Sequence, residues 1–548
     1  MTWRFYLLLF LLGLAVASTI ASFQDYPGYM DSDYYFAGGL QLIQGKGFTE
    51  PYLWNYLDDP AGLPHPSHTY WLPLSSILAA LSMLLTGQQT YAAARLIFIL
   101  IAACVPPLTA RLALDFTNRR ALALTSGLLA VFSIFHAPFL PVTDNFAPFM
   151  FLGGLVFLLA KDERRWAFGL LGVLAGLMNL ARSDGLLWLG LLGLLSLWRA
   201  QEYALSTQVR TDTGTQVHKY TSPVTHYVLR FTHYVLRFTH YVLRTFSFTL
   251  LGYLLVMGPW YARNLSVFGS LMAPGGDRIL WLTNYNDTFA FPAEQVNLQS
   301  WLAAGWQAAL KVRLWALSMN AQNVLAAQGG ILLFPFILVG VWQARRDVRV
   351  RLAAVGWLLL LAVMTLIFPL AGARGGFFHA GVAFQPLWWA LAPLGLEQTV
   401  VAIRRRGFLD ERAYVFFRVA LVGLCALLTV VVLQKRIFQL GWQWEEELYV
   451  KVEQFLVEQG AQPNEMVIVL NPPGYYLVSG RSAIVAPPGG PQTLLAVAAR
   501  YGASYYILEK EGALPEYRGL YNQTEQYAGI EYLGTVEDAR IFALSPAR

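Results

Sequence analysis

Residues 25–48, DYPGYMDSDYYFAGGLQLIQGKGF, follow directly on an apolar run over residues 5–23. That run is long enough for one bilayer crossing, since a spanning helix needs about 20 mostly apolar residues. What comes next is acidic and aromatic. Asp25, Asp31 and Asp33 are followed by Glu50, Asp58 and Asp59, against a single Lys46. Carboxylates at a membrane surface have two jobs open to them. One can take a proton from a hydroxyl, and a pair can hold a divalent cation that in turn meets phosphate oxygens. A solvated acidic loop would carry the same residues, so the spacing alone does not choose.

The rest of the chain fixes the setting. Of its 548 residues 56% are hydrophobic and 13% charged, where soluble proteins carry roughly 25% charged residues. The mean hydropathy is +0.45. This excludes an ordinary cytosolic enzyme and a disordered chain, and implies an α-helical polytopic membrane protein. The net charge of +6 does not point to nucleic acid, because the basic residues cluster between apolar runs, as membrane topology requires. Cys104 and Cys425 both lie inside apolar runs, with neither a disulfide framework nor a zinc pattern.

Apolar runs near 5–23, 91–113, 121–140, 147–160, 167–181, 186–198, 246–262, 328–343, 352–370, 380–396 and 414–433 give about 11 spans. Ala15-Val16-Ala17 has the look of a signal-peptide cleavage site, but an uncleaved anchor suits the spans that follow. The segment 71–86 is short for a span. Reading it as re-entrant or interfacial, with the N-terminus inside, puts roughly twice as many Lys and Arg on the cytoplasmic side as outside. Residues 24–90, 140–147, 263–327 and everything after 437 are then outside, and Asp31 and Asp144 share a side. Residues 1–437 form the membrane domain, with 24–90 an outer loop and 199–245 a basic cytoplasmic loop. That loop carries the heptapeptide repeat THYVLRF and four histidines, His218, His226, His233 and His240, read as an expanded repeat in a tolerant loop. Residues 438–548 read as a small extracytoplasmic α/β domain, with strands at 465–470 and 504–509 and a helix over 494–502 closed by Gly502.

Asp144 lies in LPVTDNFAP with apolar sequence on both sides. An ionisable group there is costly unless it faces a polar cavity, though Asp144 or Thr143 could instead cap the next helix. Arg182, Arg263, Arg374 and His65 stand at outer helix ends or loops, and cations converging near acids suit a lipid-linked phosphate. Snorkelling to headgroups explains any one arginine, less comfortably all three. His68 and His379 read as structural.

These pieces resemble the GT-C superfamily of glycosyltransferases, family 39-like in particular: protein O-mannosyltransferases, the lipid A aminoarabinose transferase and lipopolysaccharide-core galacturonosyltransferases. The likeness rests on Asp31-Ser32 with Tyr35, Leu42 and Gly45-Lys46-Gly47-Phe48, on Asp144, and on Pro259 to Gly269 with its Pro-Trp-x-x-Arg-Asn-x-x-x-Phe-Gly pattern. His65-Pro66 and Arg182 match the family's outer-loop cations. The sequence departs from the pattern at Ser32, where Glu is usual, with Asp33 standing nearby, and at His65, where some members carry lysine. The resemblance covers roughly residues 1–400 and leaves the tail out.

The resemblance implies a sugar donor on a polyprenyl phosphate and an acceptor hydroxyl on a lipid, glycan or protein. Asp31 would be the general base in an inverting displacement. Arg182, Arg263, Arg374 and His65 would stabilise the departing phosphate. Tyr35 would line the substrate site. Asp33 and Asp144 would orient the acceptor or hold a cation, and the pair Asp31 with Asp33 would hold a divalent cation, Mg or Mn. The setting would be a bacterial or archaeal plasma membrane, since no retention signal is visible. A transporter or flippase of polyprenyl-linked precursors is the first alternative, but it would show internal repeats and mid-span polar residues. A non-catalytic membrane scaffold with a ligand-binding tail is the second.

Overall fold

The computed structural model describes residues 3–212, 223–407, 412–510 and 512–545. Each of the eleven apolar runs coincides with helix over at least part of its length. Five helical stretches are long and apolar enough to cross a membrane: Trp3–Ala21, Tyr91–Thr117, Phe231–Phe268, Val348–Ile367 and Ala413–Glu458. Shorter apolar helices, among them Arg120–Val131, Phe146–Leu159 and Arg165–Ala181, pack between them. Leucines at 251, 255, 358 and 427 stay exposed on the bundle's outside, as a lipid-facing surface requires.

Two stretches read as loops are helical. The repeat belongs to the helix Pro223–Phe268, which runs without a break into an apolar span. No Gly or Pro interrupts residues 225–244, so nothing in the repeat stops a helix. His218 and the side chain of His226 lie outside the described residues. In the outer segment, Leu298–Asn323 forms a helix opened by an Asn297/Ser300 capping box and bent at Gly305, whose φ is 80°.

The first outer loop builds the base of the site. Tyr29 is extended, and the helix Met30–Ile43 starts after it with Asp31 and Asp33 in its first turn, where the helix dipole favours carboxylates. Gly28 sits at φ 81°, and a Cβ there would lie 2.2 Å from Nε1 of Trp442, so only glycine lets the chain pass the indole. The helix packs on Leu74–Thr86, a helix of 13 residues whose Ser75 is bonded to Asn145.

The tail is a sheet between helices. Among the described residues there are eight strands: β1 Thr49–Glu50, β2 Tyr52–Leu53, β3 His65–Pro66, β4 Met466–Val469, β5 Ala483–Val485, β6 Ala503–Leu508, β7 Ile530–Val536 and β8 Ala539–Leu544. β1 and β3 form an antiparallel ribbon that sets Glu50 opposite His65. The others form one sheet in the order β2-β5-β4-β6-β8-β7. β2, β5, β4 and β6 are parallel, and β8 and β7 close the edge antiparallel. Side chains alternate between two cores. Ile468 and Ile484 face Leu494 and Val497 of the helix Gly490–Tyr501, while Val467 and Val469 face Leu448 and Val452 of the helix Trp444–Glu458. Strands β4 and β6 and the intervening helix lie where the sequence puts them. β2 comes from the first outer loop, so residues on both sides of the 437/438 boundary share this sheet.

The contact between Met30–Ile43 and Leu74–Thr86 admits no side chain at Gly39, where a Cβ would stand 3.0 Å from Cβ of Ala79 and 3.2 Å from the Ala80 amide. Gly39→Leu is expected to cost about 1–3 kcal/mol through overpacking. A lower melting temperature in detergent by tryptophan fluorescence checks this, and an unchanged melt would contradict the packing.

Candidate active site

Asp31 lies partly exposed in the first turn of its helix, and Asp144 lies in the turn before the helix Phe146–Leu159. The cap residue of that helix is Asn145, with no side-chain cap bond, so Asp144 is not spent on capping. Instead one oxygen of Asp144 accepts from the Tyr29 hydroxyl at 2.6 Å and the other from the Asn145 amide at 2.5 Å. Asn145 Nδ2 donates to the Tyr35 hydroxyl at 2.6 Å, and Ser75 donates to Asn145 Oδ1 at 2.6 Å. Ser32 and Thr143 join the same two segments, with their hydroxyls 3.0 Å apart. The polar residues around Asp144 thus tie the first outer loop to the second.

His379 completes the group. Its Nε2 is 4.0 Å from Asp31 Oδ2 and its Nδ1 is 3.9 Å from Asp144 Oδ2. One donor atom from each of Asp31, Asp144 and His379 lies within 4.8 Å of the others. The imidazole is held against the Phe146 ring at a centroid distance of 4.1 Å. Its buried Nδ1 has no hydrogen-bond partner among the described residues. Two carboxylate oxygens and an imidazole nitrogen form a donor set that suits a divalent cation such as Mg or Mn.

Two arginines approach from one turn. Arg182 ends the helix Arg165–Ala181 and forks onto Asp184 with contacts of 2.7–3.2 Å. Its Nη2 also donates to the carbonyl of Gly376 at 3.4 Å. Arg374 lies in that same turn, Gly372–Gly376, and stands 4.8 Å over the ring of Tyr285. Beside it a small groove is lined by Ile279, Leu282, Trp301, Val312 and Leu370, with Thr283 and Arg313 as its polar members.

The electrostatics follow from crowding. Withdrawal from water and then the Asp144 charge push the Asp31 carboxyl from 3.8 up to about 8, against a lowering by Arg182. Burial raises Asp144 as well, opposed by the Tyr29 hydrogen bond and Arg182.

Of the residues singled out in the sequence, Asp31, Asp144, Tyr35, Arg182 and Arg374 come together here. Asp33 does not join them. Residues two apart on a helix are about 200° apart in direction, so Asp33 faces the tail, where its Oδ2 accepts from Asn471 at 2.8 Å. The cation-capable set is therefore Asp31, Asp144 and His379, with Asp33 on the far side of the helix. His65 is buried in the ribbon, 3.0 Å from Glu50 and 3.7 Å from Asp58. Burial alone would lower it, but these carboxylates hold it above its ordinary value. Arg263 lies over Trp260 and Phe268 and donates to the carbonyls of Phe48 and Ser67, bracing the same ribbon. His379, which the sequence reads as structural, is a site residue, and so are Tyr29 and Tyr285, which the sequence does not single out. His379 had one signal, an ionisable residue opening an apolar run just after the Arg374 turn.

No protein-family model and no curated protein sequence matches the chain. Solved structures do. The oligosaccharyltransferase of Archaeoglobus fulgidus in its apo form aligns at TM-score 0.50 and 14% identity, over 100% of this chain and 75% of that one. The same protein with zinc and sulfate gives 0.51 and 12%, over 98% and 73%. ArnT from Cupriavidus metallidurans bound to undecaprenyl phosphate gives 0.51 and 12%, over 99% and 98%. The fold is GT-C-like. With its apolar helices, the chain is a multi-pass membrane protein of that architecture.

The raised Asp31 carboxyl makes a stability prediction. Above the ordinary carboxyl value the unfolded chain releases the proton that the folded chain keeps, so folding loses stability from about pH 4 to about pH 8 and no further above that. Asp31→Asn removes this loss. Melting temperatures in chelator-containing detergent buffer should show a gain over wild type that grows between those values and then levels off. A gain independent of pH would contradict the account.

Proposed function

We propose that the chain is a membrane glycosyltransferase. It moves a sugar from a polyprenyl-phosphate donor to a hydroxyl of a lipid, glycan or protein acceptor, on the outer face of a plasma membrane and with inversion at the anomeric carbon. The observation that carries this reading is the meeting of Asp31, Asp144 and His379 beside the turn shared by Arg182 and Arg374. The GT-C-like fold supports it, as does the groove next to that turn, whose mainly apolar lining suits an isoprenoid chain.

Asp31 takes the proton of the acceptor hydroxyl as its oxygen attacks C1 of the sugar. The bond between C1 and the phosphate oxygen breaks with both electrons going to the phosphate. Arg374, which has no acidic partner among the described residues, and Arg182 meet the negative charge as it develops. Asp144 is fixed by Tyr29 and Asn145 and orients the acceptor side of the cavity. A divalent cation would be held by Asp31, Asp144 and His379, and would supply charge neutralisation next to the phosphate. The Asp31 charge reaches the hydroxyls of Tyr70 and Tyr285, so both belong to the same surroundings. The N-terminus would be inside and the tail outside, placing the acids and the tail on one side.

The test is a transfer assay. Membranes holding wild type or Asp31→Asn are offered a panel of labelled polyprenyl-phosphate sugars, and label reaching acceptor is counted. Wild type should transfer from one donor, and Asp31→Asn should fall by about 100-fold or more at equal expression. Equal transfer by both would remove Asp31 as the base.

A further inference from the structure

The tail grips the first turn of the helix that carries Asp31. Asp33 is fully buried, and its Oδ2 accepts from Nδ2 of Asn471 at 2.8 Å. The same amide nitrogen donates to Oε2 of Glu445 at 2.8 Å. The carbonyl oxygen of the Asn471 side chain accepts from the Gly474 amide at 3.0 Å and caps the helix Pro472–Ser479. Three of the four hydrogen-bonding capacities of one side-chain amide are therefore used, on three different helices. The backbone amide of Asn471 donates to the Tyr449 hydroxyl, which in turn reaches Glu445 and Glu509 at 3.1 Å each. The approach is close: a Cβ on Gly474 would stand 3.0 Å from Asp33 Oδ2.

This is the centre of a wider attachment. Gly28 donates to Oε1 of Glu446 at 2.8 Å, and Trp442 Nε1 donates to the carbonyl of Tyr26 at 3.0 Å. Further along the same helix, Gln41 donates to the Tyr476 hydroxyl at 2.8 Å. The tail thus holds the chain just before, within and after the turn that points Asp31 at Asp144 and His379. At position 471 the chemistry asks for an amide. Asp33, Glu445 and Glu446 are already present as acids, and a fourth carboxylate there would remove both donated hydrogens and add like charge.

We propose that Asn471 is a positioning residue for Asp31. Its amide joins Asp33 to Glu445, and so ties the first turn of the Asp31 helix to the C-terminal ends of the parallel strands of the tail sheet. Asn471 touches no reacting atom; it sets the direction of the group two residues before its partner. The activity part of this inference rests on the glycosyl-transfer reading, and the structural part does not.

The test uses the full chain in detergent or membranes, as Asn471→Asp and as the double variant Asp33→Asn with Asn471→Asp. The second restores a donor between the two positions, because the new amide at 33 can give its hydrogen to the new carboxylate at 471. Hydrogen exchange at residues 30–36 should quicken in Asn471→Asp by about tenfold or more and return toward wild type in the double variant. Exchange over Leu96–Thr117 should stay as in wild type. With a transferring wild type, kcat of Asn471→Asp should fall by about tenfold or more, with donor KM within about twofold, and the double variant should recover it. Unchanged exchange at 30–36 in Asn471→Asp would overturn the proposal whatever the activity. Quickened exchange with unchanged kcat would overturn the positioning role. A double variant that regains protection but no transfer would also overturn it, and would return Asp33 to the chemistry. A wild type that transfers no sugar would sink the glycosyl-transfer reading alone, while the exchange measurement still decides the attachment.

Discussion

Asp31 and Asp144 are held within 4.8 Å of each other and of one imidazole, in surroundings that exclude most water. Two carboxylates so close repel, and neither is fully hydrated, so the arrangement costs free energy unless a proton or a cation relieves it. The rest of the structure keeps the pair together against that cost. Tyr29 and Asn145 fix Asp144, the Ser32–Thr143 contact joins the two loops, and Phe146 backs His379. Arg182 supplies opposite charge, though two of its five N–H donors go to Asp184. A site built this way is relieved by a proton or a bound cation, and the turn where Arg182 and Arg374 meet sets opposite charge beside it.

The tail takes part in holding this site. It borrows β2 from the first outer loop, and the Tyr56 hydroxyl donates to the carbonyl of Val485 in β5. Together with the contacts at Tyr26, Gly28, Asp33 and Gln41, this fastens the loop at several points along its length. The ribbon of β1 and β3 is steadied from the other side by Arg263 and by His65 between Glu50 and Asp58. The cations read as phosphate partners at positions 65 and 263 thus serve the loop that carries Asp31.

Much of this was legible in the sequence, and the limits have physical causes. Asp144 stood out because a charge between two apolar runs is costly, and that cost is a local property. The pairing of Asp31 with Asp144 follows from reading 71–86 as non-spanning, and the two carboxylates do meet. Asp33 was placed beside Asp31 by closeness in sequence, whereas helical geometry turns it to the opposite face. His379 reads as structural in the sequence because it gains its meaning in the site only from residues more than 200 positions away. In the tail, β4, the helix after β5 and β6 carry clear apolar runs. β5 has three residues and β2 two, too few for any periodicity, and β2 pairs across more than 400 residues.

The central claim is that Asp31, Asp144 and His379 act as one centre. Manganese binding followed by electron paramagnetic resonance tests this most directly, on wild type and on Asp31→Asn, Asp144→Asn and His379→Gln at matched folding. The account predicts one bound ion per wild-type chain and loss of it in each of the three variants. Retention of that ion by any one of them, or its survival in all three, would contradict a shared centre.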